Sequence, residues 1–217
     1  NDIGYSLLML AACANQTTPT RVLLHAGANP NEKYRHESAS EYLHEFTPLM
    51  FAVAQGVSET VELLLQHGAN INARNVSGDS ALWIAAVSGD IHKLQLLLKY
   101  GADLESANQD GLTPVMAAAW KGHLSVVKAL LSSGADINKL SANKKNILEL
   151  AEVANNEELT SLLRTAMRKP KLKSQRDKLT TAKQATAGAE AVMGRAKLSA
   201  RIFSVLLKLK LYLNGPP

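Results

Sequence analysis

Seven side chains in this sequence could do chemistry if their neighbours allowed it: six histidines and the single cysteine, Cys13. A catalytic or metal site needs several such groups at a spacing that brings them together. His36 and His44 lie eight apart with no third ligand near them, which reads as a solvated loop rather than a metal pair. Cys13 has no base beside it and reads as a small packing residue. A lone cysteine also excludes a disulfide framework and a clustered-thiolate zinc site, and fits a reducing compartment. His25 and His67 fall just before glycines at the ends of apolar stretches, where a cation complements a helix dipole. A Gly-rich phosphate loop, an H-E-x-x-H pair and a G-x-S-x-G elbow are all absent from the sequence. These residues point away from an enzyme, and no metal or cofactor is expected.

The charges divide the chain in two. Residues 1–163 carry 11 Lys+Arg against 17 Asp+Glu, a net of −6, and residues 164–217 carry 13 against 2, a net of +11. An acidic body and a basic appendage of different function are expected. No run of about 18 apolar residues is present to span a bilayer. Residue 1 is Asn, with no charged-then-apolar leader after it. A fragment or processed product located in the cytoplasm or nucleus is therefore the expectation.

The elements that must position these residues announce themselves by repetition. Thr47-Pro48-Leu49-Met50, Ser80-Ala81-Leu82-Trp83, Thr113-Pro114-Val115-Met116 and Asn146-Ile147-Leu148-Glu149 start 33 residues apart. A Gly-Ala pair follows 21 residues after the first three starts, at Gly68, Gly101 and Gly134. Ser6 opens an earlier copy ending at Gly27-Ala28, with eight extra residues placed between Asn31 and Thr47. Each copy reads as two short helices, the first rich in alanine (Ala11-Ala12, Ala85-Ala86, Ala118-Ala119) and the second in leucine. Thr47, Ser80 and Thr113 are expected to cap first helices, with Pro48 and Pro114 in the first turn, where a missing N–H costs nothing. Neither helix of a copy can bury its apolar side alone, so the copies must stack.

These residues resemble the ankyrin repeat. The stretch Asp110–Asn138 carries Gly111, Thr113-Pro114, Ala118-Ala119, Gly122-His123, Leu130-Leu131, Gly134-Ala135-Asp136 and Asn138 of its pattern. The resemblance implies an all-α-dominated solenoid of about five helix-turn-helix repeats with hairpin fingers over 1–165. The repeats fall near 1–31, 42–74, 75–107, 108–140 and 141–165, with an insertion at 32–46. The last copy, with Glu149, Glu152 and Asn155, departs as an outward-facing cap should. The family's use of such folds implies a scaffold or adaptor that binds a protein partner in the concave groove between fingers and first helices. Carried over by position, the groove would present Arg74, Val76, Ser77, Asp79, Gln109, Asp110, Leu112, Asn143 and Lys144 from the fingers. From the first helices it would present Gln55, Val87, Ser88, Trp120 and Lys121. Leu112 and Trp120 are the anchors expected to matter most, since Trp is enriched among binding hot spots. Trp83 stands where the pattern has His and is expected to pack between repeats. Within the insertion, Tyr34, Tyr42 and Phe46 alternate with Glu37, Glu41 and Glu45, so the finger either reaches over a ligand or packs along its neighbour. Tyr42 and Phe46 are counted with the binding residues. The resemblance also implies that Asn31, Asn72 and Asn138 are conceivable hydroxylation targets, although their plain role is bonding within the turn.

Beyond residue 165 the pattern stops. Residues 166–196 read as a basic linker around Arg168-Lys169-Pro170-Lys171, and 197–213 as a basic amphipathic helix. Leu198, Ile202, Val205 and Leu209 share one apolar stripe, and Phe203 and Leu207 sit on a second. That helix could fold back on the last repeat, dock to a second partner or a second copy, or lie on an anionic membrane surface. Nucleic acid and membrane rank below protein among its expected partners.

Overall fold

A computed structural model describes residues 5–35 and 43–168, so the segment holding His36 and Tyr42 and the chain beyond Arg168 lie outside the described residues. Five helix pairs fill the described part. They are α1 (Leu7–Cys13) with α2 (Thr17–His25), α3 (Pro48–Gln55) with α4 (Ser58–Gln66), α5 (Ala81–Ser88) with α6 (Ile91–Lys99), α7 (Pro114–Trp120) with α8 (Leu124–Ser132), and α9 (Ile147–Val153) with α10 (Glu157–Arg168). Each first helix packs on the next first helix, and α2, α4, α6 and α8 form a second row behind them. An isolated antiparallel bridge joins Arg74 with Ser80 at a finger.

Helices this short depend on their ends. Ser6, Thr47 and Ser80 each accept a hydrogen bond on the side-chain oxygen from the backbone N–H three residues on, at 3.2, 3.3 and 3.2 Å. Asn146 and Glu149 complete a reciprocal capping box, Glu149 Oε2 accepting from the Asn146 N–H at 2.8 Å. Thr113 departs from the expectation: it precedes α7 in the same place, yet its buried hydroxyl makes no cap bond. Pro48 and Pro114 do open their helices.

Small side chains let the first helices approach. Ala12, Ala52, Ala85, Ala86, Ala118 and Ala119 are fully enclosed. Polar groups then tie the pairs together across the stack. His123 Nε2 lies 2.9 Å from the Val87 carbonyl. Gly89 sits beneath that ring at φ +76°, and a Cβ there would lie 2.7 Å from His123 Nδ1, so both backbone and contact demand glycine. Lys93 is almost wholly buried, and its ammonium donates to the Val53 carbonyl at 3.0 Å beside Asp90 at 3.1 Å. Burial alone would raise the Asp90 carboxyl, but hydrogen bonds from Lys93 outweigh it and hold the group below the usual range.

A further ladder runs along the turns after the second helices. Asn29, Asn70, Asp103 and Asp136 accept from the N–H two residues on, closing each turn on itself. Asn31, Asn72 and Glu105 reach instead to the next copy, accepting from the N–H of Asn70, Asp103 and Asp136 at 2.6, 3.0 and 2.8 Å. The expected within-turn role therefore holds for Asn138, while Asn31 and Asn72 join neighbouring repeats.

The described ends of the insertion are structural. Tyr34 N–H donates to the Phe46 carbonyl and Glu45 N–H to the Tyr34 carbonyl, both at 2.8 Å, which makes a short hairpin stem. Lys33 and Arg35 clamp Glu45, whose carboxyl the Lys33 hydrogen bond holds low. Tyr34 stacks on Tyr5 at 4.2 Å, and Phe46 meets Phe51 at 5.1 Å. Phe46 is 0% exposed, which corrects its assignment as a binding residue: it is a core plug beneath the stem. Phe46→Ala is expected to cost about 3–5 kcal/mol in urea unfolding, the range for emptying a buried phenyl site.

Candidate functional site

The concave side is built where three consecutive fingers meet three first helices. Asn75 and Asn108 shape the fingers: the Asn75 side chain accepts from Asp79 N–H at 2.7 Å, and Asn108 from Asp110 and Leu112 N–H at 3.0 Å each. The fingers are then pinned to one another. Gln109 N–H donates to the Ser77 carbonyl at 2.9 Å, Gln109 Nε2 to the Val76 carbonyl at 2.6 Å, and Ala142 N–H to the Asp110 carbonyl at 2.8 Å. Gly111 fills the crossing point at φ +70°, where a Cβ would lie 2.6 Å from the Ala142 nitrogen.

Between these fingers and α5, α7 and α9 lies a cavity of about 490 Å³. Its walls are Ser77, Asp79, Trp83, Asn108, Asp110, Leu112, Trp120, Ser141, Asn143, Lys145 and Leu150. Sequence reasoning named Ser77, Asp79, Asp110, Leu112, Trp120 and Asn143, and the fold brings these six to one place. Trp120 is 38% exposed at the end of α7, with the Lys121 ammonium 4.2 Å above its ring. Leu112 is half-buried against the core.

Other expected residues stand elsewhere. Arg74 is exposed, its Nε donating to the Gly78 carbonyl at 2.9 Å, so it braces its own finger. Val76 is exposed and its N–H is taken by the His44 carbonyl at 3.1 Å, next to the insertion stem. Val87 is half-buried, with its carbonyl held by His123. Lys121 is exposed and is not among the cavity walls, its ammonium lying over the Trp120 ring. Asp79 lines the cavity but is 2% exposed, a correction to its reading as a presented fingertip charge. The six tail residues Leu198, Ile202, Phe203, Val205, Leu207 and Leu209 lie outside the described residues.

Trp83 is the wall that sequence reasoning assigned to packing alone. It does pack, at 7% exposed, yet it also faces the cavity, and its indole N–H is buried without a partner. Asp79 Oδ1 is likewise unpartnered. Burial pushes the Asp79 carboxyl above the usual range, against the opposing pull of the Asn108 and Asn75 amides. Two unsatisfied polar atoms in one concave wall are the kind of feature that marks a recognition site rather than plain core. At the rim, Lys144 adopts the left-handed conformation at φ +59°, where Gly78 and Gly111 stand in the preceding copies. A side chain with a Cβ is strained there.

Two outcomes follow from this geometry. Because folded Asp79 holds its proton more tightly than the unfolded chain, its burial favours folding at acidic pH, and that contribution is lost as pH rises from about 4 through the raised value. Asp79→Asn should remove this component, so that the stability of the variant minus that of the wild type grows with pH across the window in urea titrations. Lys144→Gly should raise stability by about 0.5–1 kcal/mol by relieving the backbone.

Comparison with known proteins places the chain among ankyrin repeats: the model of that repeat matches three times, over residues 8–108, 49–141 and 82–174. The E3 ubiquitin-protein ligase KEG of Arabidopsis thaliana is 37% identical over 83 residues, 38% of this chain and 5% of that protein. The glycerophosphocholine phosphodiesterase gde1 of Schizosaccharomyces pombe is 39% identical over 75 residues, 35% of this chain and 6% of that protein. A putative ankyrin repeat-containing protein of Treponema pallidum is 36% identical over 90 residues, 42% of this chain and 28% of that protein. The chain thus spans a small fraction of each of these relatives.

Proposed function

The chain belongs to the ankyrin-repeat family, a fold used for protein–protein interaction, and we propose that it is an adaptor holding a partner protein or peptide in the cavity beside Trp120. The observation that carries this reading is a large aromatic ring left 38% exposed on a first helix, beside a concave wall containing Trp83 and Leu112. Burying such a ring in a partner's pocket contributes strongly to binding. The two unpartnered atoms nearby support a partner that brings its own donors and acceptors. No catalytic role is assigned to the cavity, whose walls are apolar, amide, hydroxyl, carboxylate and one ammonium group. A reducing cytoplasmic or nuclear setting goes with this reading, given the single thiol.

A second reading draws on the charge division: the +11 segment beyond residue 163 would itself dock, and the repeats would only carry it. One experiment separates the two. Peptides selected from a displayed random library against the full chain are titrated against wild type, Trp120→Ala, Leu112→Ala and a chain ending at residue 168. The groove reading expects each substitution to weaken binding by about 10-fold or more, with the truncation unchanged. Binding lost on truncation and kept by Trp120→Ala would transfer the function to the basic segment.

A further inference from the structure

The cavity beside Trp120 is charged as well as aromatic, and its two acids are departures from the repeat register. Asp79 stands where other copies have Tyr5, Phe46, Leu112 and Lys145, and Asp110 where they have His44, Ser77 and Asn143. Both carboxylates line the cavity, and the Lys145 ammonium is the one cation among its walls. Among the described residues, neither Asp79 nor Asp110 enters an ion pair.

Asp79 carries the stronger signal. It is 2% exposed, and its Oδ1 has no hydrogen-bond partner. A carboxylate withdrawn from water with one oxygen unanswered is unfavourable unless a ligand supplies the donor. Burial is the chief reason that this carboxyl stands above its usual range, against the pull of the Asn108 and Asn75 amides. The Asp110 charge adds to the shift by more than Arg74 relieves it. A cation set beside the two carboxylates would offset that repulsion and answer Oδ1.

The aromatic wall has the same preference. Trp120 already holds a cation on its face, the Lys121 ammonium 4.2 Å from the ring centroid. Lysine stands at this register position in no other copy, its counterparts being Ala14, Gln55, Ser88 and Ala154. Trp83, 7% exposed, leaves its indole N–H without an acceptor. A ligand here must therefore bring an acceptor close to its cation, as a peptide does in its own carbonyls.

We propose, resting on the groove reading above, that the cavity selects an arginine side chain of the partner peptide. Its guanidinium lies against Trp120 and donates to Asp79 and Asp110, while a carbonyl of the same peptide accepts from Trp83. A guanidinium suits the site better than an ammonium does. Its planar fork stacks on an indole and presents donors to two carboxylates at once, and it is the more weakly hydrated cation. An acidic ligand would meet two carboxylates against one ammonium.

For the test, random heptapeptides displayed on phage are selected against the full chain, and those that lose binding to Trp120→Ala are synthesised. Both tryptophans of the chain line the cavity, so their fluorescence follows binding at the site itself. These peptides should share an arginine. Replacing it by citrulline, which keeps the shape without the charge, should weaken binding by about 10-fold or more. That penalty should shrink to about 2-fold or less against Asp79→Asn/Asp110→Asn. It should shrink part of the way against Asp110→Asn alone, an exposed position whose bonds to its neighbours run through the backbone. Peptides that depend on Trp120 yet lack arginine, tolerate citrulline, or keep the full penalty against either variant overturn the inference while the groove reading stands. If no selected peptide depends on Trp120, the groove reading falls and the inference falls with it.

Discussion

A pair of helices seven to nine residues long, such as α5 with α6, cannot keep its apolar surface from water by itself, and the rest of this structure follows from that shortage. Every copy must borrow burial from the copies beside it, which requires a constant register. Alanines on the first helices allow close approach, and three kinds of polar tie hold the spacing at different heights: the joined fingers, the His123 and Lys93 bonds to first-helix carbonyls, and the ladder of Asn31, Asn72 and Glu105. Each tie satisfies backbone groups that helix ends and turns leave free, so the same bonds that align the copies also settle their hydrogen-bonding needs.

The concave cavity is a local exception made within that regular frame. The position of Trp120 is held by Cys13, Ala54, Val87 and Val153 in the other copies, and the position of Trp83 by Met9, Met50 and Met116 in three of them. Two large rings thus replace smaller or more pliable side chains in adjacent repeats on the same side. The backbone repeats while the side chains do not, which is how a solenoid acquires an individual surface.

What could be read from sequence was what depends on period and on local chemistry. The 33-residue step shows in the sequence by its recurrence, and the caps at Thr47 and Ser80 and the opening prolines Pro48 and Pro114 are signals carried within a few residues of where they act. Bonds made across copies were harder to read. Asn31 and Asn72 look like turn residues, and only the stacked neighbour reveals their acceptor role toward Asn70 and Asp103. Phe46 and Asp79 were misread for a related reason: loop position suggests exposure, but the insertion stem and the adjoining finger fold over them. Trp83 has both roles at once, and alternation of core and surface in a sequence gives no warning of a residue that serves each with a different edge.

The ladder of turn side chains also bears on how the molecule would answer to tension. Its rungs join one repeat to the next, so a load passed from repeat to repeat falls on them in series, each carrying a single N–H. Such joints yield in succession, starting at the end with the fewest neighbours, and the frame lengthens in steps. A ligand seated across the fingers of α5, α7 and α9 would span two of these joints and act as a splint, stiffening the last three repeats while the first two stayed compliant.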